Sequence, residues 1–200
     1  MNSDDIEIIE KVEAYGGYSR LYENRLRHRL FSGGWSDEIS REVLDRGIAV
    51  CVLPYDPLRD EVMLVEQFRV GAMQAGLPPW QMEIVAGVKD PGETEEEVAY
   101  RELFEEAGLS ASSLHFVCEA LSSSGIVSEI VSVWCAIVDS SGAGGVHGLD
   151  YEHEDIRVSV HSFEEARALM HDGTIKHLQA IAALQWLEIN RERLRAYLDK

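Results

Sequence analysis

The chain has 200 residues, 46% of them apolar, and a formal net charge of −18 at neutral pH. That length and apolar content suffice for one large domain, or a domain with an appendage, around a sizeable core. The acidic balance repels phosphate backbones and anionic membrane surfaces, which argues against nucleic-acid and membrane partners; a phosphate-bearing small molecule would need help from metal ions or local arginines.

Residues 1–47 differ in character from the rest and are expected to form a small N-terminal antiparallel β-domain, with 48–200 as the main domain. "IEIIEKVEAY" and "RLRHRLF" read as short strands, the second alternating Arg25, Arg27 and Arg29 with Leu26, His28 and Leu30. Glycine pairs at 16–17 and 33–34 mark turns. Six arginines fall between Arg20 and Arg46, either a polar strand face making salt bridges or a basic patch for an anionic ligand.

From Ile48 the pattern tightens. "IAVCVLP" is a buried strand, "YDPLRD" a turn about Pro57, and "EVMLVEQF" its hairpin partner. "LPPW" breaks the chain before another strand, "QMEIVAG". Beyond a glutamate-rich segment, "HFVCEAL", "VSEIVSVWCAIV" and "DIRVSV" read as strands, with "DSSGAGGVHGLDYEHED" as an acidic, Gly-rich loop. "SFEEARALM" opens with a capping box, Ser162 and Glu165, and Gly173 stops that helix. "TIKHLQAIAALQWLEINRERLRAYL" follows as a helix with Leu178, Ile181, Ala182, Leu184 and Leu187 facing inward. Strands and helices mix without strict βαβ alternation, so a mixed sheet sandwiched by helices is expected.

The three cysteines, Cys51, Cys118 and Cys135, lie in apolar runs without CxxC spacing and read as reduced core residues. The N-terminus lacks the order of a signal peptide, and no apolar run reaches the roughly 20 residues of a membrane helix. A soluble cytoplasmic protein is expected.

The segment Gly87–Leu109, "GVKDPGETEEEVAYRELFEEAGL", packs seven glutamates around one arginine. Pro91 and Gly92 make a turn, Thr94 and Glu97 form a capping box, and Glu95 and Glu96 sit where a helix dipole favours anions. Gly108 ends the helix, and Ala99, Leu103 and Ala107 can face a core. Glu102, Glu105 and Glu106 are different. They share one side of the helix, in its last turns, where the dipole disfavours negative charge. Arg101 can pair with Glu97 or Glu105, or reach back to Glu93. An oxygen-only donor set placed against the dipole points to hard cations, Mg²⁺ or Mn²⁺ before Zn²⁺, and the helix pitch allows two or more ions close together.

Gly87, five residues, Glu93, seven residues, Arg101-Glu102-Leu103, one residue, Glu105-Glu106, one residue, Gly108-Leu109 matches the Nudix box in full. The chain is similar to Nudix hydrolases. From about Arg20 to Trp186 it resembles their ADP-ribose pyrophosphatase branch, through "RGIAVCVLPYDPLRDEVMLVEQFRVGA", "PPWQMEIVAG", "GGVHGLDYEHEDIRV" and "ALQWL". The resemblance implies a Nudix-type α/β/α sandwich preceded by a β-domain exchanged within a homodimer. It implies metal-dependent cleavage of a nucleoside diphosphate linked to another moiety, with ADP-ribose yielding AMP and ribose 5-phosphate. Carried over by position, Glu102 and Glu106 resemble metal ligands, with Glu105, Glu154 and the carbonyl of Ala86 contributing. Glu93 and Arg101 resemble a brace of loop against helix, Glu152 the general base, and Arg41, Arg69 and Glu129 ligand contacts. The branch usually carries a proline where this chain has Ser124. That departure keeps GDP-mannose or another nucleotide sugar as the alternative substrate. A Nudix-like ligand-binding module without turnover is the third reading.

Overall fold

The computed structural model describes residues 2–196. It resolves into two compact units: the chain up to Ile48 together with Ala120–Val131, and Ala49–Glu119 together with the chain from Ser132 on.

The first unit is built on a three-stranded antiparallel sheet, β1 (Ile6–Gly16), β2 (Arg20–His28) and β3 (Ile39–Asp45), in the order β1-β2-β3. The strand expected at "RLRHRLF" begins earlier and ends at His28, because Arg20–His28 pairs along the full length of β1. The sequence reading had no counterpart for β3; its alternation is weak, and pairing with β2 defines it. Several arginines of this unit meet carboxylates: Arg25 pairs with Glu10 and Glu38, Arg27 with Glu7 at 2.6 Å, and Arg46, just after β3, with Glu129 at 3.2 Å. Residues 120–131 join this unit through Leu44, whose N–H donates to the Ile126 carbonyl and whose carbonyl accepts from Ser128 N–H.

The second unit is an α/β sandwich about a mixed eight-stranded sheet. Its elements are β4 (Ile48–Asp56), β5 (Glu61–Phe68), α1 (Val70–Gln74), β6 (Trp80–Glu83), β7 (Val85–Val88), α2 (Glu95–Ala107), β8 (Ser113–Leu121), β9 (Ile130–Ile137), β10 (Gly145–His147), β11 (Ile156–Ser162), α3 (Phe163–His171) and α4 (Leu178–Ala196). The strand order is β10-β11-β5-β4-β9-β8, with β6 on β5 and β7 on β4. Neighbouring residues on β5, Val62, Met63, Leu64 and Val65, are all buried, so both faces of the sheet are covered. Met63 and Val65 pack with Val50, Val52 and Val85 against Val98, Ala99, Leu103 and Ala107 of α2. α3 lies on β5 and β11 and also packs on α4.

Three expectations are corrected. "QMEIVAG" is two strands, since the chain leaves β5 at Glu83 and pairs β4 from Val85. The Gly-rich acidic loop contains β10, an edge strand on β11. α4 starts at Leu178, which is mostly exposed, and it buries Ala180, Ala183, Leu184 and Leu187 instead of Leu178. The expected end of that helix, Tyr197 and Leu198, lies outside the described residues. Among the described residues no helix is long and apolar enough to cross a membrane.

Candidate active site

α2 begins as its sequence dictates. The Thr94 hydroxyl accepts from Glu97 N–H at 3.2 Å and the Glu97 carboxylate accepts from Thr94 N–H at 2.7 Å, satisfying two amides that have no partner within the helix. These bonds hold the Glu97 carboxyl below its ordinary range. At the other end Gly108 takes φ 64 and closes the helix.

Between those ends the helix turns carboxylates inward. Glu102 and Glu106, one turn apart, are 9% and 2% exposed. Gly87 on β7 faces Glu102, and a Cβ there would overlap the carboxylate, so the box glycine lets the strand approach the helix. Ala86 N–H donates to Glu106 Oε2 at 2.9 Å. Burial pushes Glu106 up to about 8; Glu102 and Glu154 add to the rise, while the Ala86 amide and Arg69 oppose it. Burial also pushes Glu102 up to about 6 against the pull of Arg101, with Glu105 and Glu154 adding to the rise.

Arg101 gathers the rest. Its guanidinium donates to Glu93 Oε1 at 3.0 Å, Glu102 Oε1 at 2.6 Å, Glu105 Oε2 at 3.2 Å and the Val88 carbonyl at 3.3 Å. Glu93 also accepts from Asp90 N–H at 2.9 Å. The turn before α2 is therefore tied to the middle of the helix through one cation. Arg101 does not take the alternative partner Glu97, which is occupied by its cap.

Glu152 and Glu154 come from the loop after β10. Glu154 Oε2 accepts from Leu149 N–H at 3.3 Å. Desolvation, reinforced by the charges of Glu152, Glu105 and Glu154, raises the Tyr151 hydroxyl pKa, which places these carboxylates in one electrostatic neighbourhood. Arg69, the N-cap of α1, makes a forked pair with Glu83, the shortest contact being 2.8 Å. Desolvation opposes the Arg69 charge, but Glu83, Glu106 and Glu154 raise its pKa overall. Sequence reasoning passed over Glu83, although a lone acid at 5% exposure in an apolar strand is itself a signal. It also passed over His177, whose ring pKa is lowered by burial and whose Nδ1 is buried without a hydrogen-bond partner.

Ala86, Glu93, Arg101, Glu102, Glu105 and Glu106 are thus drawn together, with Arg69 and Glu154 coupled to them by charge. Arg41 and Glu129 belong to the other compact unit. There Glu129 pairs with Arg46, and Arg41 donates to the Ser40 carbonyl and lines a cavity of about 450 Å³ with Lys11, Tyr22, Asn24 and Asp45.

The donor set suits a hard divalent cation. Every side-chain donor is a carboxylate oxygen, two of the groups are buried, and Glu106 keeps acceptor capacity beyond the one amide it meets. The oxygens are not drawn into a ready coordination group among the described residues, because Glu102 and Glu105 turn to Arg101.

A model of the NUDIX domain matches residues 45–184. The chain is 44% identical over 192 residues to the ADP-ribose pyrophosphatase of Escherichia coli K12, covering 96% of this chain and 92% of that protein. It is 32% identical over 188 residues to the GDP-mannose pyrophosphatase of Pectobacterium atrosepticum, covering 92% and 94%. A crystal structure described as an ADP compounds hydrolase superposes with a TM-score of 0.73, covering 96% of this chain and 97% of its own, at 20% identity, and so shares the fold. By the reach of the domain match and the identity across nearly the whole chain, this protein belongs to the Nudix family.

Proposed function

We propose that the chain hydrolyses ADP-ribose to AMP and ribose 5-phosphate. The observation that carries this reading is the pair of buried, under-satisfied carboxylates Glu102 and Glu106 inside a complete box. The 44% identity to an ADP-ribose pyrophosphatase supports the choice of substrate. Glu102 and Glu106, with Glu105, Glu154 and the Ala86 carbonyl, would hold two or more divalent ions, Mg²⁺ or Mn²⁺. Bound there, such ions neutralise diphosphate charge and fix its orientation.

The chain's own groups supply the rest. Arg101 and Glu93 keep the turn at Asp90–Glu93 against α2, so the acidic face holds its shape. Glu152 takes the proton of the attacking water as its oxygen bonds to phosphorus and the bridging P–O bond breaks. Arg69 would contact the substrate; for Arg41 and Glu129, ligand contact is proposed from their position in the family pattern alone. Most of the acceleration comes from placement and preorganised charge. A panel of nucleoside diphosphate compounds with Mg²⁺, analysed by product, tests the reading: ADP-ribose should give the highest kcat/KM.

The second reading keeps the chemistry and makes GDP-mannose the substrate. Ser124 and the 32% identity to a GDP-mannose pyrophosphatase favour it. It prevails if GDP-mannose is turned over at least as efficiently as ADP-ribose.

The first unit serves as a dimerisation element in this proposal. Every residue of β1 is exposed, including the apolar Ile6, Ile8, Ile9 and Val12, which a second copy would cover. Light scattering on the purified protein should give the mass of a homodimer.

A further inference from the structure

His147 is the last residue of β10, immediately before the loop that carries Glu152 and Glu154. Its ring does two things. Nε2 lies 3.0 Å from the Gly144 carbonyl; a carbonyl only accepts, so Nε2 bears the proton and donates. The edge of the ring lies over Gly108, the residue that closes α2, and a Cβ there would come within 2.8 Å of His147 Cε1. Packing of His147 on Gly108 therefore joins the root of the loop to the end of the helix that holds Glu102, Glu105 and Glu106.

The residues that follow complete the attachment. Gly148 donates its N–H to the Glu105 carbonyl at 3.3 Å, which occupies one of the free carbonyls of the last helical turn. Its φ of 102 and the closeness of Glu154 Cβ, 2.7 Å from where a Cβ would stand, leave room only for glycine. From Leu149 the chain turns back on itself: the Leu149 carbonyl accepts from Glu152 N–H at 2.9 Å and from Glu154 N–H at 3.3 Å. His153 takes φ 58, so the two glutamates flank a left-handed residue. The loop has internal bonds; among the described residues, His147 and Gly148 attach it to α2.

We propose that His147 is a positioning residue: it anchors the loop 148–154 on the C-terminal turn of α2 and so holds Glu152 in register with the acidic face. The proposal rests on the reading of Glu152 as proton acceptor. A loop root displaced by about 1 Å is enough to lower turnover by about ten-fold to a hundred-fold while substrate binding is kept.

Two variants and two readouts test it on the full chain. His147→Ala removes the ring over Gly108 together with the donor to Gly144; His147→Gln keeps side-chain bulk over Gly108 and places an amide N–H near where Nε2 stood. Hydrogen exchange across 148–154 in the metal-free protein should speed up about ten-fold in H147A, with α3 and α4 unchanged. With ADP-ribose and Mg²⁺, kcat of H147A should fall about ten-fold with KM within about two-fold, and H147Q should restore both readouts. Unchanged loop exchange in H147A, or an H147Q protein as impaired as H147A, overturns the anchor. Glu152→Gln separates the two readings: native turnover in that variant removes Glu152 from its role, whereas the exchange result judges His147 independently.

Discussion

Asp56, at the end of β4, and Glu106, on α2, are both 2% exposed, and burial pushes both carboxyls toward the neutral form. At Asp56 the push is overcome. Its oxygens accept from Leu58 N–H and Arg59 N–H, from the Arg59 guanidinium at 2.8 Å and from the Ser140 N–H and hydroxyl, and the pKa settles at about 2. Glu106 has the Ala86 amide and acidic neighbours, and settles at about 8. Equal solvent exposure has opposite outcomes because Asp56 accepts five hydrogen bonds and Glu106 one amide, and because Glu106 is the more heavily desolvated of the two. Asp56 locks the β4–β5 turn. Glu106 keeps acceptor capacity that the Ala86 amide does not fill.

The contrast can be broken by experiment. The largest effect is expected from Glu106→Gln, which should lower kcat/KM by at least about a thousand-fold, about 4 kcal/mol, while leaving the melting temperature of metal-free protein unchanged or higher. Full activity of this variant with Mg²⁺ would remove Glu106 from the metal set. Glu152→Gln should lower kcat about a hundred-fold, near 3 kcal/mol, with KM little changed in steady-state assays.

Asp56→Asn should show the reverse of Glu106→Gln: native turnover in the surviving folded fraction but about 2 kcal/mol less stability in urea titrations, because donors then face an amide. The pH dependence has a fixed sign. A carboxyl whose folded pKa is depressed to about 2 stabilises fully above its unfolded value of about 4, and that contribution, about 2 kcal/mol, is lost as pH falls toward 2. Asp56→Asn should lack this part of the acid slope; equal slopes in both proteins would mean the Asp56 bonds carry no stability. Thr94→Ala is the smallest change. Removing the cap should cost about 1 kcal/mol in the same titration and leave kcat within about two-fold.

Much of this was legible along the chain, for a common reason: the features are local. The Thr94–Glu97 cap, the turn at Gly108 and the inward face Ala99, Leu103 and Ala107 all follow from spacing within one helix. The Nudix box is equally local, and it sufficed to mark Glu93, Arg101, Glu102, Glu105 and Glu106 as candidates. Strands with strong alternation or continuous apolar runs, β4, β5 and β11, were legible as well. β3 and β10 were not, because each is short or half-polar and exists through its pairing with β2 or β11.

What the sequence by itself determined is therefore the kind of chemistry and the residues of one helix, since side-chain spacing over a few turns is set by covalent geometry. Only the tertiary structure decided how those residues are loaded. Burial against β7 makes Glu102 and Glu106 resist ionisation, Arg101 selects Glu93 over Glu97, and Glu83 meets Arg69 through the pairing of β6 with β5. Desolvation and long-range pairing depend on which surfaces meet, and no local spacing encodes that.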